Sequence, residues 1–393
     1  MKVQLSTSLL LPLTLVITGA CFQLAATEFD ARSYAMGGIG VTTADYVTAS
    51  FHNPAMAAKH DVRDDFGLLA PTLGIQVDDP NDLFNDATDL YDVIDKADLT
   101  TPNPADVLAV QAALTQVSGD KAYSEMGFGA VASVPTRYYS TNMFIKGYAD
   151  AFLFSDILSD DIKSGDTDIN SKMSVYAVSV TELGMTFARK FDTRYGGIHV
   201  GFSPKYYLLS TYNYTETVDN FDPGEYKDGA SSDDKGFNLD LGIEVGLKYG
   251  LNAGAAIKNV MPQEIDLEPM NDSTASYNIN PVLTTGLSWS NEYATVGIDL
   301  DVNAAKRYDN IESLTGVSDN FDDTQMLKIG GEISLPSAMQ LRAGYTKDLQ
   351  GNKKQVVTGG IGFSPFNIFR FDLAASYGGS HQFGVVAQTM IWF

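Results

Sequence analysis

The sequence predicts an all-β chain: a roughly 14-stranded antiparallel transmembrane β-barrel with an N-terminal hatch inside it and a short helical extracellular insertion. Three observations carry this expectation. Period-two alternation of apolar and polar residues recurs from residue 64 to the end, a period that turns successive side chains to opposite faces of a strand. The connections between these runs alternate in length, as in outer-membrane barrels, whose periplasmic turns are short and whose outer loops are long. Ahead of the first run lies Ala31 to Ala58, ARSYAMGGIGVTTADYVTASFHNPAMAA, which is too rich in Gly and Ala to be a strand.

In chain order, residues 1–26 read as a secretory signal, with Lys2 at the charged start, an apolar stretch from Leu9 to Ile17 and a small-residue exit at Leu24-Ala25-Ala26. The apolar stretch is too short to span a membrane. A second cut, before Cys21 in Thr18-Gly19-Ala20-Cys21, loosely matches a lipoprotein site and stays open. Cys21 is the one cysteine, which excludes a disulfide framework, a cysteine zinc site and a CxxC redox pair. Residues 27–62 then form the expected hatch, its motif residues being Met36, Gly37 and Gly38 and the turn Asn53, Pro54 and Ala55. Proline sets φ there and lacks an amide donor, while asparagine hydrogen-bonds locally.

Residues 63–393 are expected to form the barrel, with runs near 64–76, 122–134, 138–152, 173–190, 195–212, 235–249, 250–262, 278–290, 292–303, 324–335, 338–347, 355–364, 367–377 and 382–393. Phe237 to Tyr249 is the clearest. Phe237, Leu239, Leu241, Ile243, Val245, Leu247 and Tyr249 share one face, opposite Asn238, Asp240, Gly242, Glu244, Gly246 and Lys248. Polar faces rich in charge and glycine suit a crowded, wet lumen. A lumen charge network is expected from Asp240, Glu244, Lys248, Asp299, Asp301, Glu332, Arg342, Arg370 and Asp372. Opposite charges in a lumen favour a network that holds a plug over a wide channel. Phe144, Tyr148, Phe152 and Phe154 are candidates for an apolar ligand lining, with facing lipid or packing the hatch as the alternative. Tyr138, Tyr139, Tyr206, Tyr207, Tyr212, Tyr214, Trp289 and Trp392 lie near strand ends, where aromatic girdles form.

Residues 79–119 break the pattern. Leu83, Ala87, Leu90, Tyr91 and Ile94 recur at helical spacing, and Asn103-Pro104 opens a second helix with Val107, Val110, Leu114 and Val117 on its apolar side. Two such short helices need a surface to bury against, either the barrel mouth or each other. The long loops are acidic, and the chain carries 49 Asp and Glu against 26 Lys and Arg, a net charge of −23. Nucleic acid is therefore excluded as a partner, since its phosphates demand basic patches. The acidic loops are expected to be solvated and to meet lipid and lipopolysaccharide through cations. No metal site, cofactor or catalytic residue is expected, because His52, His60, His199 and His381 sit apart with no nucleophile motif.

Arg32 to Ala55, with Ala35-Met36-Gly37-Gly38, Gly40-Val41 and Asn53-Pro54-Ala55, together with the chain length and the aromatic end Met390-Ile391-Trp392-Phe393, resembles the FadL-type outer-membrane transport superfamily. Within it the chain is most similar to barrel proteins of the TraF-like, conjugal-transfer family. The resemblance implies an outer-membrane barrel of a Gram-negative cell, and passive transport of hydrophobic, fatty-acid- or hydrocarbon-like small molecules past the hatch. The alternative it leaves open is a surface or assembly component that holds a secretion-system partner. The insertion at residues 79–119 departs from fatty-acid transporters, and the absence of CxxC carries no thioredoxin chemistry across.

Overall fold

The structure, a computed structural model, describes residues 30–61, 64–79, 81–97, 103–136, 139–163, 169–194, 196–221, 230–266, 276–309, 323–336 and 338–393. The signal reading of residues 1–26, with Cys21, and the girdle residue Tyr138 lie outside them. Among the described residues, 14 antiparallel strands close into a barrel. They are β1 (Gly67–Asp78), β2 (Lys121–Pro135), β3 (Ser140–Asp156), β4 (Lys172–Thr193), β5 (Gly196–Thr217), β6 (Ala230–Gly246), β7 (Leu251–Lys258), β10 (Val282–Ser290), β11 (Ala294–Asp301), β13 (Met326–Leu335), β14 (Met339–Asp348), β15 (Val356–Phe363), β16 (Phe369–Gly379) and β17 (Gln382–Trp392). Each strand pairs with its sequence neighbour, apart from the short β8 (Gln263–Asp266), β9 (Ser276–Ile279) and β12 (Tyr308–Asp309), and β1 closes on β17 from Gly67 opposite Trp392. The amides of Asp65 and Phe66 extend this seam to the Phe393 carbonyl, at 2.8 and 2.9 Å.

The alternation resolves with the apolar face outward. Phe237 is 71 % exposed, and Leu241 and Ile243 are exposed beside it, while Asn238, Asp240 and Glu244 are buried. On β17, Phe383, Val385, Ile391 and Phe393 are exposed, and Val386, Gln388 and Met390 between them are buried. This is the pattern of a sheet whose outer solvent is hydrocarbon and whose interior is polar and filled.

The wall is uneven. β4 and β5 run 22 residues each, whereas β7, β11 and β15 run 8. Since about 9–11 tilted residues cross a bilayer, β3, β4 and β5 stand well above the membrane. Their exposed upper backs explain the two helices. Helices α1 (Ala31–Ala35) and α2 (Ala49–His52) belong to the hatch, and α3 (Leu83–Lys96) and α4 (Pro104–Val117) to the insertion. Asn103 caps α4, its side-chain oxygen accepting from the Ala105 and Asp106 amides at 2.8 and 3.0 Å. Leu83, Leu90 and Ile94 of α3 and Val110, Leu114 and Val117 of α4 pack on each other and on Val77, Leu153, Val175 and Tyr214. Those four wall residues share strand parity with the exposed Leu73, Met143, Leu183 and Phe202, so the helical pair shields the outer face of the tall wall and does not cap the mouth. Tyr91, read from the sequence as part of the apolar stripe, is 54 % exposed.

The mouth is filled differently. Beyond the short side of the wall, the chain turns back and forms a three-stranded sheet of β8, β9 and β12, ordered β12-β9-β8. Ile265, Tyr277, Ile279 and Tyr308 of this loop sheet pack on Phe152, Tyr176, Val180 and Tyr207 of the tall wall. Tyr207 is thus a lumen residue and Tyr214 a residue under the helices; neither belongs to a girdle. Trp392 also faces inward, over the guanidinium of Arg370 at 5.2 Å.

Candidate functional site

Residues 30–58 of the hatch are almost wholly buried inside the barrel. Asp30 caps α1 by accepting from the Arg32 amide at 3.0 Å. Gly37 and Gly38 then leave the helix with φ of 71° and 83°, a conformation open to glycine at little cost. The hatch reaches the wall because the wall has gaps in its side chains. Gly330 and Gly344 face each other across β13 and β14, and a Cβ on either would collide with the backbone of Met36 or Gly37. In the same way Gly201 and Gly242 pair across β5 and β6, where a Cβ would strike Pro54 or the Asn53 side chain. Both hatch motifs are therefore seated on paired glycines. The glycine of the polar faces, visible in the sequence as a lumen signature, serves as the docking floor of the hatch.

Asn53 ties the second seat together. Its side-chain nitrogen donates to the Val41 carbonyl of the hatch at 2.7 Å and to the Ile243 carbonyl of β6 at 3.2 Å, while its oxygen accepts from the Ala55 amide at 3.0 Å. Pro54 opens the 3-10 segment Pro54–Ala58.

Charges fasten the hatch around the ring. Arg32 makes a bidentate pair with Glu332 at 3.0 and 3.0 Å. Glu332 also accepts from Arg342 at 2.6 Å, and Arg342 bonds Asp372 at 2.7 Å. Arg370 pairs with Asp45 of the hatch. Elsewhere Asp299 accepts from the Gly40 and Val41 amides at 2.7 and 2.9 Å, and Glu244 holds Lys59 at 2.6 Å and His199 at 2.5 Å. Within the hatch, His52 bonds Asp30 at 3.1 Å. Burial alone would raise the Asp30 carboxyl, but the His52 hydrogen bond and the charges of His52, Arg32 and Arg370 outweigh it and hold the pKa at about 2.

Of the lumen charges named from the sequence, Glu332, Arg342, Arg370 and Asp372 form one cluster, and Asp299 and Glu244 bind the hatch separately. Asp240 belongs to a belt above the hatch, bonded to Lys205 at 2.9 Å, with Lys205 and Lys146 both on Glu182 at 3.0 and 2.8 Å. Asp301 ties wall to wall through Thr284 and the Met326 amide, at 2.7 and 3.0 Å. Lys248 is a correction: β6 ends at Gly246, and Lys248 is exposed in the turn Lys248–Gly250. A turn shorter than the alternation implied removes it from the lumen. Sequence reading missed Arg32 and Asp45. An arginine in an otherwise Gly- and Ala-rich plug was their available signal.

The four candidate lining residues all face inward, yet they divide. Phe144 packs on the hatch with Tyr46, Val47 and Phe51. Phe152 and Phe154 lie higher, beneath the loop sheet, and the Tyr148 hydroxyl meets that of Tyr277 at 3.2 Å. A cavity of about 350 Å³ lies at the opposite, short-turn end, between hatch and wall; Arg32, Asp45, Lys59, His60, Arg370 and Trp392 are among its lining. Its mixed charges suit water and polar solutes. An apolar molecule would find its surface instead at the aromatic wall above.

A family model described as "F plasmid transfer operon, TraF, protein" matches residues 50–301. No curated protein matches the sequence. Among solved structures, the Ralstonia pickettii toluene transporter TbuX superposes with a TM-score of 0.54 at 14 % identity, covering 93 % of this chain and 98 % of its own. The Pseudomonas putida toluene transporter TodX gives 0.54 at 14 % identity, with 95 % and 99 % covered. A Pseudomonas aeruginosa FadL homologue gives 0.55 at 10 % identity, again with 95 % and 99 % covered. At such identities the likeness establishes the fold: a FadL-type barrel with its hatch.

Proposed function

The chain belongs to the family of the F plasmid transfer operon TraF protein, matched over residues 50–301, and from that membership and its FadL-type fold we propose that it is an outer-membrane channel for passive movement of hydrophobic small molecules past the hatch. The carrying observation is the division of the lumen. Above a belt of charges, Phe152, Phe154, Tyr176 and Tyr207 form an apolar inner wall, which a barrel carrying only water or ions would not need. Below the belt the hatch blocks the way, seated on glycine and held by replaceable polar bonds, so that it separates from the wall without tearing a strand ladder. Toluene transport by the named neighbours supports hydrocarbon-like cargo here.

Cargo enters at the outer mouth, rests on the aromatic wall and leaves when the hatch shifts or a gap opens in the wall. The test is uptake of labelled toluene, alkane and long-chain fatty acid by cells with and without the gene. Uptake of at least one probe should fall on deletion and return on complementation; unchanged uptake of all three would end the proposal.

A second function has its own observation. The shoulder formed by α3 and α4 displays Asp89, Asp92 and Asp95 and stands outside the barrel, where it leaves the lumen free. It suits a docking surface for a secretion-system partner. Loss of a stoichiometric crosslinked partner on deleting residues 80–118, with uptake untouched in both strains, would favour this assembly role over transport.

A further inference from the structure

The inner wall under the loop sheet holds an arrangement that a structural lid does not require. Tyr123, Phe152, Phe154 and Tyr176 stack face to face across β2, β3 and β4, with ring centroids 4.8, 5.2 and 5.7 Å apart. The ladder ends at a polar pair. Tyr176 lies directly opposite Asn213 in the β4–β5 register. Both residues are buried, at 2 % and 6 % exposure, and among the described residues the Tyr176 hydroxyl and both side-chain polar atoms of Asn213 have no hydrogen-bond partner. A buried phenol and a buried amide left unsatisfied side by side are costly, and native interiors seldom keep them without a reason.

What covers the ladder is slight. The loop sheet has strands of four, four and two residues, and so small a sheet has little stability of its own. Its polar ties to the wall include Arg307 to Asp150 at 2.8 Å, the Tyr277 and Tyr148 hydroxyls at 3.2 Å and the Tyr207 hydroxyl donating to the Gln263 side-chain oxygen at 3.3 Å. It covers the aromatic wall with Ile265, Tyr277 and Ile279, yet its described residues offer the polar atoms of Tyr176 and Asn213 no hydrogen bond.

We infer that the wall under the loop sheet is a binding site for a compact, mostly aromatic molecule bearing one hydroxyl group, and that the loop sheet is its tethered occupant, displaced when the molecule binds. The rings of the ladder match a planar apolar body. The Asn213 oxygen accepts the hydroxyl proton, and the Tyr176 hydroxyl and the Asn213 amide donate to the two lone pairs of its oxygen, which satisfies the three orphaned atoms. The physiological meaning of the site rests on the proposed transport function, whose cargo it narrows to phenol-like molecules; binding itself is measured apart from transport.

The experiment uses the full chain, purified in detergent, with radiolabelled p-cresol and toluene as probes of nearly equal shape. The wild-type protein should bind p-cresol about tenfold more tightly than toluene, the worth of roughly one good buried hydrogen bond. Combining Tyr176→Phe with Asn213→Leu should erase that preference and leave toluene binding in place. Joining Asp150→Cys to Arg307→Cys with a reducible bifunctional thiol reagent should abolish binding of both probes, and reduction should restore it. Heat-modifiable gel mobility checks that each variant keeps its barrel. Three results would each overturn the inference: equal binding of the two probes by wild type, a preference that survives in the Tyr176/Asn213 variant, or undiminished binding by the joined protein. If binding behaves as expected while cells show no gene-dependent uptake, the site stands and the transport function falls. If the joined protein still carries probes into cells, transport stands and the site falls.

Discussion

Replacing Asn53 and Pro54 together by alanine isolates the seat of the hatch from the strength of the barrel. Asn53 makes three hydrogen bonds, at 2.7, 3.2 and 3.0 Å, to the Val41 and Ile243 carbonyls and from the Ala55 amide. All three lie between hatch and wall or within the hatch. Only the bond to Ile243 crosses from hatch to wall, and losing it with its partner left unsatisfied weakens the seat by about 1–2 kcal/mol, while the other two losses loosen the turn within the hatch. At about 1.4 kcal/mol per decade, the population with the hatch displaced rises by roughly 5- to 30-fold. The strand ladders lose nothing, because neither side chain belongs to them. The measurement is single-channel current in planar bilayers beside heat-modifiable gel mobility. The double variant should keep folded-barrel mobility and show frequent openings where wild type is mostly silent. Currents and uptake identical to wild type would refute the gating role of this turn.

The remaining expectations address the other anchors. Gly344→Val should dislodge the first hatch seat, since a side chain there meets the Met36 and Gly37 backbone, whereas a Cβ at neighbouring Gly359 meets only the Arg342 carbonyl at 3.7 Å; overpacking of about 1–3 kcal/mol should thus appear as leak in the first variant and not in Gly359→Ala. Asp30, held at about 2 against an ordinary 3.8, stabilises the folded hatch by about 2 kcal/mol above pH 4, and that contribution disappears as pH falls from 4 through 2. Protease sensitivity of the hatch should rise over that window, and Asp30→Asn should flatten the change. Leu114→Ala, at a fully covered contact between α4 and its neighbours, should cost about 2–5 kcal/mol locally. Hydrogen exchange should then quicken in α3 and α4 while β13 to β17 stay protected; uniform loosening of the barrel would contradict the shoulder arrangement.

Much of this was legible from local pattern. The period of two in Phe237 to Tyr249 assigns two faces whatever surrounds the strand, and the alternation of short and long connections sets which end is which. Ala31 to Ala58 stands out because a Gly- and Ala-rich segment has no apolar face to bury as a strand, and Asn103-Pro104 announces a helix start by capping chemistry alone. The candidate site was less legible. Asp299, Glu332 and Asp372 are visible as inward charges, but their bonds to Gly40, Arg32 and Arg342 are not, and Lys248 was misplaced by extending an alternation through a turn.

Local sequence thus decides faces, turns and element types here, because backbone geometry within a few residues dictates where each side chain points. Tertiary structure alone decides which inward residues stand at the same height. That depends on the stagger of a closed ring of strands, and the resulting partners are distant: Arg32 and Glu332 meet across 300 residues of chain. The same closure pairs Gly330 with Gly344 under one hatch motif and Gly201 with Gly242 under the other. It lifts β4 and β5 far enough above the bilayer to need a helical shield outside, and brings the loop sheet against the aromatic ladder inside. No period or motif encodes those heights, because they belong to the ring and not to any one strand.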